Sequence, residues 1–228
     1  MESKNIFIVI PAFNEGKIIQ EVITDIQKAG YFNIIVVDDG SKDDTFSKAQ
    51  EILPKTVFRH RLNRGKGAAT KTGIEAAKIL GANIVVTLDG DGQHDPADIA
   101  KLTRPIEFDS FDVVLGTRLL HPEGMPKHKI LANKIGNFFT WYLYGLWVTD
   151  SQSGFRAYSR HAIEVINTKS DRYEYDSEVI REIRKYKLKY KEIPITVRYT
   201  EYSMGKIQKQ DFLTGLKTLY KMIWSIIS

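Results

Sequence analysis

Four apolar runs in the first half of the chain constrain its fold more than any other feature. None of them follows a strict apolar–polar alternation, which is typical of strands buried on both faces of a sheet. The runs are Ile6–Ile10, Ile34–Val37, Ile84–Leu88 and Asp112–Gly116. Helical stretches separate them, and alternating strands and helices build a parallel sheet with helices on both faces. The sequence therefore predicts an α/β fold with a doubly wound, mostly parallel, Rossmann-like sheet.

Local signals between these runs predict where helices begin. Ser41 is expected to start one helix, with Asp43 and Asp44 in its first turn, where the helix dipole favours acids. Asp95 and Pro96 are expected to start another, as N-cap and first helical residue. The other predicted segments are about Gly16–Ala29, Thr56–Arg59, Ala68–Leu80, Ala97–Ile106, the aromatic Ile130–Gly145 and a late strand, Glu192–Tyr199.

Composition limits the class of protein. The 228 residues are enough for one domain with a proper core. Because the chain has no Cys, it has no disulfide framework, thiolate metal site or cysteine nucleophile, which fits a reducing cytosol. The N-terminal sequence does not resemble a signal peptide, and no apolar segment reaches the ~20 residues of a membrane span. A net charge of +5 favours anionic partners: phosphates, an anionic membrane surface or nucleic acid. The basic run Arg181–Lys191 is more simply a solvated helix face.

An acidic turn, Asp89-Gly90-Asp91-Gly92, follows the third apolar run. Two carboxylates one residue apart, at the end of a buried strand, suit a hard cation such as Mg²⁺ or Mn²⁺ that also binds substrate phosphates. Ligands of open α/β sheets bind at this edge. A plain tight turn is the alternative. An EF-hand is rejected, because its sixth and twelfth positions would be His94 and Ala100.

Loops after the first two runs supply further polar groups. Pro11–Gly16 lacks the G-x-G-x-x-G of dinucleotide dehydrogenases, and Glu15 would repel a phosphate, so this loop is predicted to meet a ribose or base. A carboxylate at Asp38 or Asp39 can accept from a ring N–H of uracil or guanine. The alternative is that Asp38 and Ser41 only cap the next helix.

A glycine-basic turn, Asn63–Ala69, opens another predicted helix. Its backbone N–H groups and the helix N-terminus are suited to anionic groups. It is not a Walker A loop, because Gly67 follows Lys66 where Ser or Thr belongs. The five histidines show no metal-ligand spacing and are predicted to be structural or surface residues.

Six motifs in series resemble those of glycosyltransferase family 2 enzymes of the GT-A fold, in particular the dolichol-phosphate mannose synthase-like branch. The resemblance covers most of the chain to about residue 200. The motifs are Pro11-Ala12-Phe13-Asn14-Glu15, Val37-Asp38-Asp39-Gly40-Ser41, Asn63-Arg64-Gly65-Lys66-Gly67, Asp89-Gly90-Asp91-Gly92-Gln93, Gly116-Thr117-Arg118 and Ser153-Gly154-Phe155-Arg156-Ala157.

This resemblance implies a set of site residues. Asp91 and Arg118 would be catalytic, and the Ser153–Arg156 segment would close one wall. The nucleotide-sugar side would comprise Pro11, Ala12, Phe13, Glu15, Asp38, Asp39, Lys66, Asp89, Gly90 and, in a late Gly-Lys loop, Lys206. The metal ligands would be Asp89, Asp91 and Gln93, and the acceptor phosphate would meet Arg118, Lys127 and Lys129.

The activity implied is metal-dependent, inverting transfer of a sugar from a UDP- or GDP-sugar to a polyprenyl phosphate, either dolichyl or undecaprenyl. A bound metal stabilises the leaving diphosphate, and an anionic acceptor needs positioning cations instead of a base. If the acceptor were a sugar hydroxyl, Asp176 or Glu178 would be candidate bases, although helix capping is their more ordinary role. A basic nucleic-acid-binding module is the remote alternative, since no recognised RNA-binding motif is present.

The expected organisation is a catalytic domain, 1–206, and a C-terminal amphipathic helix, 207–228. The aromatic segments Phe138–Tyr142 and Trp224–Ile227 suit a membrane surface, although core packing or a dimer contact explains them equally. The sequence predicts a peripheral protein of the cytoplasmic membrane face, acting alone or with a membrane-protein partner.

Overall fold

A computed structural model of the chain describes residues 5–120, 127–172, 174–198 and 202, without the side chains of 127–129 and 132. The strands are β1 (Ile6–Ala12), β2 (Ile34–Asp38), β3 (Val57–Arg59), β4 (Ile84–Thr87), β5 (Val113–Thr117), β6 (Arg156–Ser159) and β7 (Tyr190–Pro194). The helices are α1 (Ile19–Lys28), α2 (Thr45–Ile52), α3 (Lys66–Ile79), α4 (Ile99–Phe108), α5 (Lys127–Tyr144), α6 (Arg160–Val165) and α7 (Glu174–Lys185).

The strands form one seven-stranded sheet in the order β3-β2-β1-β4-β6-β5-β7. All neighbours pair in parallel except β6, which is antiparallel to both β4 and β5. The predicted α/β architecture with a mostly parallel sheet is therefore confirmed. The antiparallel strand was not predicted as a strand, because its four residues include Arg156 and Ser159 and carry no apolar run.

Two apolar layers cover the sheet. On one face, α1, α2 and α4 contribute side chains such as Ile23, Ala49 and Leu102. On the other face, α3, α6 and α7 contribute side chains such as Ala69, Ile163 and Ile180. Residues of β1 alternate between the two layers, so this strand is buried on both sides. The unalternating apolar runs of the sequence are explained by this double cover.

Several predicted boundaries differ from the structure. Ser41 does not begin α2, which starts at Thr45, because the Ser41 hydroxyl accepts from the backbone N–H of Asn14 at 2.9 Å. Asp95 is an N-cap as predicted and accepts from Ala97 N at 3.0 Å, but it starts a 3₁₀ turn that runs into α4. The late strand lies earlier than predicted, because its pairing with β5 ends at Pro194.

Other sequence predictions fall outside the described part of the chain. These are the C-terminal helix 207–228, the aromatic segment Trp224–Ile227 and Lys206. Among the residues that the structure does describe, no helix combines the length and apolarity needed to cross a bilayer.

Candidate active site

The loops after β1 and β2 are tied to each other at the carboxyl edge of the sheet. Asn14 takes a positive φ of 55°, and three successive backbone N–H groups then reach the second loop. Asn14 N donates to the Ser41 hydroxyl at 2.9 Å, Glu15 N to Thr45 Oγ1 at 2.8 Å and Gly16 N to Asp43 Oδ2 at 3.0 Å. These three hydrogen bonds from backbone N–H groups to side chains fix the Pro11–Gly16 loop, in which the nucleoside contacts were predicted.

Asp39 holds the glycine-basic turn in place. Its Oδ1 accepts from Arg64 N at 3.0 Å and its Oδ2 from Gly65 N at 2.7 Å, while His60 Nδ1 lies 2.7 Å from Oδ1. The turn needs this support because Gly65 has a φ of 116°, outside the range of most L residues. His60 is thus structural, as predicted, and Asp39 orders the loop that presents Lys66.

Asp38 is fully buried at the end of β2. Its Oδ1 accepts from Ser41 N at 3.0 Å, and Arg59 Nε lies 3.0 Å from its Oδ2. The capping alternative for Asp38 and Ser41 is wrong, because both close the turn that precedes α2 and neither caps the helix. A direct contact of Asp38 with a nucleotide stays a prediction.

The residues of the Pro11–Gly16 loop, predicted to contact the nucleoside, differ in solvent exposure. Ala12 is buried, whereas Phe13 is 39% exposed. Gly90 lies against this loop so closely that an added Cβ would be 3.3 Å from the Pro11 carbonyl oxygen. The buried Glu15 carboxylate accepts from the Tyr202 hydroxyl at 2.8 Å, a contact that no sequence motif predicts.

Lys66 and Asp89 form an ion pair at the centre of the site. Lys66 is the first residue of α3, and its Nζ lies 2.8 Å from Asp89 Oδ1 and 3.3 Å from Asp176 Oδ2. Burial alone would lower the pKa of Lys66, but the charges of Asp176 and Asp89 raise it above its ordinary value. Gly154 makes room for this pair, because a Cβ there would clash with Lys66 Nζ and lie 2.9 Å from Asp89 Oδ1.

Asp91 and Gln93 form the second half of the acidic turn. The Gln93 backbone N–H donates to Asp91 Oδ1 at 3.0 Å, and Gln93 Nε2 donates to Oδ2 at 2.8 Å. Burial and the charge of Asp89 raise the pKa of Asp91. Asp89 behaves in the opposite way: burial would raise its pKa, but Lys66 and the nearby His94, 3.6 Å away, hold it well below the usual range.

The acidic turn fits a hard divalent cation. Its donors are the oxygens of Asp89, Asp91 and the Gln93 amide, and Mg²⁺ commonly takes only one or two carboxylates, completing its shell with water and phosphate oxygens. A bound cation would also reduce the electrostatic repulsion between the carboxylates of Asp89 and Asp91. Across the described ranges, no group of three or more His, Cys, Asp or Glu side chains is arranged to hold a metal ion. The fit therefore depends on substrate oxygens as further ligands.

Arg118 follows β5 and is fixed by a buried carboxylate that no sequence motif predicted. Its Nε and Nη2 donate to the two oxygens of Asp150 at 2.7 and 2.8 Å, and its backbone N–H donates at 3.1 Å. Burial would raise the pKa of Asp150, but the Arg118 guanidinium outweighs it and lowers the pKa. Lys127 and Lys129, the other predicted acceptor contacts, lie in α5, and their side chains are outside the described ones.

The Ser153–Arg156 segment is clamped to α7 by Arg156, which is 1% exposed. This guanidinium donates to the carbonyl oxygens of Ser153, Ser151 and Asp176 at 2.8, 2.8 and 3.0 Å. Asp176 lies in the first turn of α7 and turns its carboxylate to Lys66, so its helix-capping interpretation is wrong. Glu178 is also within α7 and accepts from two loop N–H groups, those of Lys169 and Ser170, at 2.8 and 2.9 Å.

A segment after β7 crosses the acidic turn. Arg198 N donates to the Gln93 carbonyl at 2.8 Å, and its guanidinium donates to Asp95 and Asp25 at 2.9 and 3.0 Å. Thr196 N donates to the buried Asp98 at 2.6 Å. The acidic turn is thereby held between the core of the sheet and this crossing segment.

Comparison with known proteins identifies related sequences along most of the chain. The model of the family "Glycosyl transferase family 2" matches residues 7–167. The UDP-N-acetylglucosamine–dolichyl-phosphate N-acetylglucosaminyltransferase of Methanococcus voltae is 41% identical, over 98% of this chain and 96% of that protein. An uncharacterized protein of Methanocaldococcus jannaschii is 45% identical, over 96% of this chain and 90% of its own.

Solved structures share the fold at low sequence identity. Glucosyl-3-phosphoglycerate synthase from Mycobacterium tuberculosis, solved in complex with Mn²⁺, UDP and phosphoglyceric acid, superposes with a TM-score of 0.68 at 22% identity. The match covers 95% of this chain and 79% of that one. This likeness confirms the predicted fold type.

Proposed function

Because the chain belongs to glycosyltransferase family 2 and is a glycosyltransferase, we propose that it transfers N-acetylglucosamine from UDP-N-acetylglucosamine to a polyprenyl phosphate such as dolichyl phosphate. The choice of donor and acceptor is supported by the 41% identity to the Methanococcus voltae enzyme of that name, which extends over nearly the full length of both chains. The Lys66–Asp89 pair beside Asp91, at the carboxyl edge of β4, is the structural observation that carries the proposal.

Loss of UDP from the sugar requires stabilisation of negative charge on the leaving diphosphate. A divalent metal, Mg²⁺ or Mn²⁺, held by Asp89, Asp91 and Gln93 would supply this as a Lewis acid. Lys66, an ammonium whose pKa is raised by its carboxylate neighbours, is close enough to contribute a further positive charge. The Pro11–Glu15 loop, which includes Phe13, would contact the nucleoside.

The acceptor phosphate is already an anion, so it needs orientation and not deprotonation. The Arg118 guanidinium suits this role because it stays charged and because Asp150 holds it in a fixed direction through Nε and Nη2. Lys127 and Lys129 are proposed to assist. The alternative, a hydroxyl acceptor deprotonated by Asp176, is less favoured because that carboxylate is already paired with Lys66 and is 3% exposed.

A lipid acceptor requires access to a membrane surface. Four side chains around the end of α5 form an exposed aromatic patch: Phe138, Trp141, Tyr142 and Trp147. Tyr142 is 72% exposed and Trp147 is 54% exposed, and aromatic rings of this kind favour the headgroup level of a bilayer. The exposed Arg184 donates to the carbonyl oxygen of Tyr144, the last residue of α5, at 2.8 Å. We propose that the protein docks peripherally at the cytoplasmic membrane face through this patch.

The proposal is tested by a transfer assay with purified protein, Mg²⁺ or Mn²⁺, and dolichyl phosphate in detergent. UDP-N-acetylglucosamine, UDP-glucose and GDP-mannose are compared as donors, and EDTA is the control. The expected result is a metal-dependent glycolipid formed from UDP-N-acetylglucosamine. If glycolipid forms from GDP-mannose and from neither UDP-sugar, the proposed donor is rejected. If the donor is cleaved when a soluble sugar is added but not when dolichyl phosphate is added, the proposed acceptor is rejected.

A further inference from the structure

Lys66 is already in direct contact with a carboxylate of the acidic turn. Its Nζ lies between carboxylates from two separate elements, 2.8 Å from Asp89 Oδ1 after β4 and 3.3 Å from Asp176 Oδ2 in α7. Asp89 is one of the two carboxylates that fit a metal. A lysine in direct contact with such a ligand competes with the metal for the same oxygen.

The second contact makes an exchange possible. Asp176 is 3% exposed and is fixed by its helix, and the buried Arg156 donates to its backbone carbonyl at 3.0 Å. When Lys66 leaves Asp89, it therefore keeps a charged partner. The flexible four-carbon chain of Lys66 lets its ammonium group move. Gly154 has no Cβ, which would otherwise clash with the Lys66–Asp89 pair.

We propose that Lys66 is an exchangeable counter-ion that neutralises Asp89 in the metal-free protein and moves to the donor diphosphate when the metal takes Asp89. Asp176 is the positioning residue that retains Lys66 during the exchange. This inference rests on the proposed function, because it assumes a metal–diphosphate ligand at this site. It concerns how binding of the metal ion and binding of the donor diphosphate depend on each other, which the proposed reaction does not specify.

The exchange predicts coupling between the two ligands. A metal ion that arrives alone must displace Lys66 from Asp89 and remain close to its positive charge. A donor diphosphate attracts Lys66 away and supplies oxygens to the metal, so each ligand favours the other. By linkage, UDP tightens metal binding by the same factor by which the metal tightens UDP binding. Removal of the Lys66 charge should strengthen binding of the metal alone and reduce this factor.

The experiment measures Mn²⁺ binding to the full chain from the electron paramagnetic resonance signal of free Mn²⁺, with and without UDP, after subtraction of the Mn²⁺ that UDP binds in the absence of protein. In the wild type, UDP is expected to lower the Kd of Mn²⁺ by about tenfold or more, within the usual range of coupling. In Lys66→Met, Mn²⁺ alone should bind several-fold more tightly than in the wild type, and the effect of UDP should shrink to a few-fold. Lys66→Gln provides the same test if the Met variant does not fold.

Lys71→Met is the matched control. Lys71 lies on the same helix and also forms an ion pair, to Asp171 at 2.7 Å, but it has no contact with the acidic turn among its described partners. It should retain the wild-type Mn²⁺ affinity and the wild-type effect of UDP. The inference is overturned if Lys66→Met binds Mn²⁺ alone no more tightly than the wild type, or if its UDP effect is unchanged. In that case, glycolipid formation by the wild type would still support the proposed function, so the two failures are distinguishable.

Discussion

Arg118 and Asp150 form a bidentate ion pair at the end of β5, with Nε of Arg118 2.7 Å from Oδ2 of Asp150 and Nη2 2.8 Å from Oδ1. Asp150 is 2% exposed, and among its described neighbours Arg118 is the first to compensate its charge, with a further contribution from Arg156. The pair sets the direction of the cation that we propose for the acceptor phosphate.

Replacement of Asp150 by Asn should impair acceptor binding more than donor binding. The guanidinium loses its charged partner and its fixed direction, and hydrogen bonds to charged groups contribute about 1.5–3 kcal/mol. The KM for dolichyl phosphate should rise by roughly tenfold or more, with little change in the KM for the nucleotide-sugar. The control is Glu164→Gln, which removes only an exposed pair with Arg160. An equal rise in both KM values would contradict the role in acceptor binding.

The same pair should contribute a pH-dependent part of the stability. The pKa of Asp150 is lower in the folded protein than its ordinary value of 3.8, so folding favours the carboxylate. This stabilisation is fully present well above pH 3.8 and is lost as the pH falls through the lower, folded-state pKa. In urea unfolding between pH 3 and 7, wild type and Asp150→Asn should differ most near neutral pH and converge in acid. A difference that is constant across the range would contradict the ion pair.

Gly154→Ala should reduce transfer without unfolding the protein. The added methyl would collide with Lys66 Nζ and crowd Asp89 Oδ1, displacing the two groups proposed to hold the diphosphate and its metal. We expect at least a tenfold loss of kcat/KM and a melting temperature within a few degrees of the wild type. Gly136→Ala on α5 is the control, because a Cβ there meets nothing within 4 Å and Ala favours helix. Full activity of Gly154→Ala would show that Lys66 and Asp89 need not be adjacent.

The aromatic patch should govern membrane association. The double variant Trp141→Ser, Trp147→Ser removes two exposed rings, and burial of one large apolar side chain contributes about 1.5–3 kcal/mol. Its partitioning onto vesicles with anionic lipid should therefore fall by more than tenfold, measured by co-sedimentation. Phe32→Ser removes an even more exposed ring outside the patch and should leave binding unchanged. Undiminished binding of the double variant would place the docking surface elsewhere.

Sequence patterns anticipated the sheet well because strand burial is encoded locally. The runs at β1, β2, β4 and β5 are mostly apolar without alternation, and the structure buries them on both faces. β6 escaped prediction because it is short and polar at both ends, and only its pairing with β4 and β5 makes it a strand.

The site was predictable as a set of loops but not as a set of contacts. Asp89, Asp91, Lys66 and Arg156 stand out by their motifs, whereas Asp150 belongs to none of them and owes its role to Arg118, 32 positions away in the chain. The Lys66–Asp176 contact joins residues 110 positions apart, and no local pattern encodes it. The helix start assigned to Ser41 failed for a similar reason, because a tertiary partner, Asn14, takes the hydroxyl that a cap would use.

The most direct test of the central claim is the position of a bound metal. Crystals grown with Mn²⁺ and UDP should show an anomalous peak within coordination distance of carboxylate oxygens of Asp89 or Asp91 and of the UDP diphosphate. Asp91→Asn crystals should show a weakened peak. A full-strength Mn²⁺ peak away from the acidic turn, or UDP bound with its diphosphate remote from Asp89, would contradict the assignment of this turn as the metal–diphosphate site.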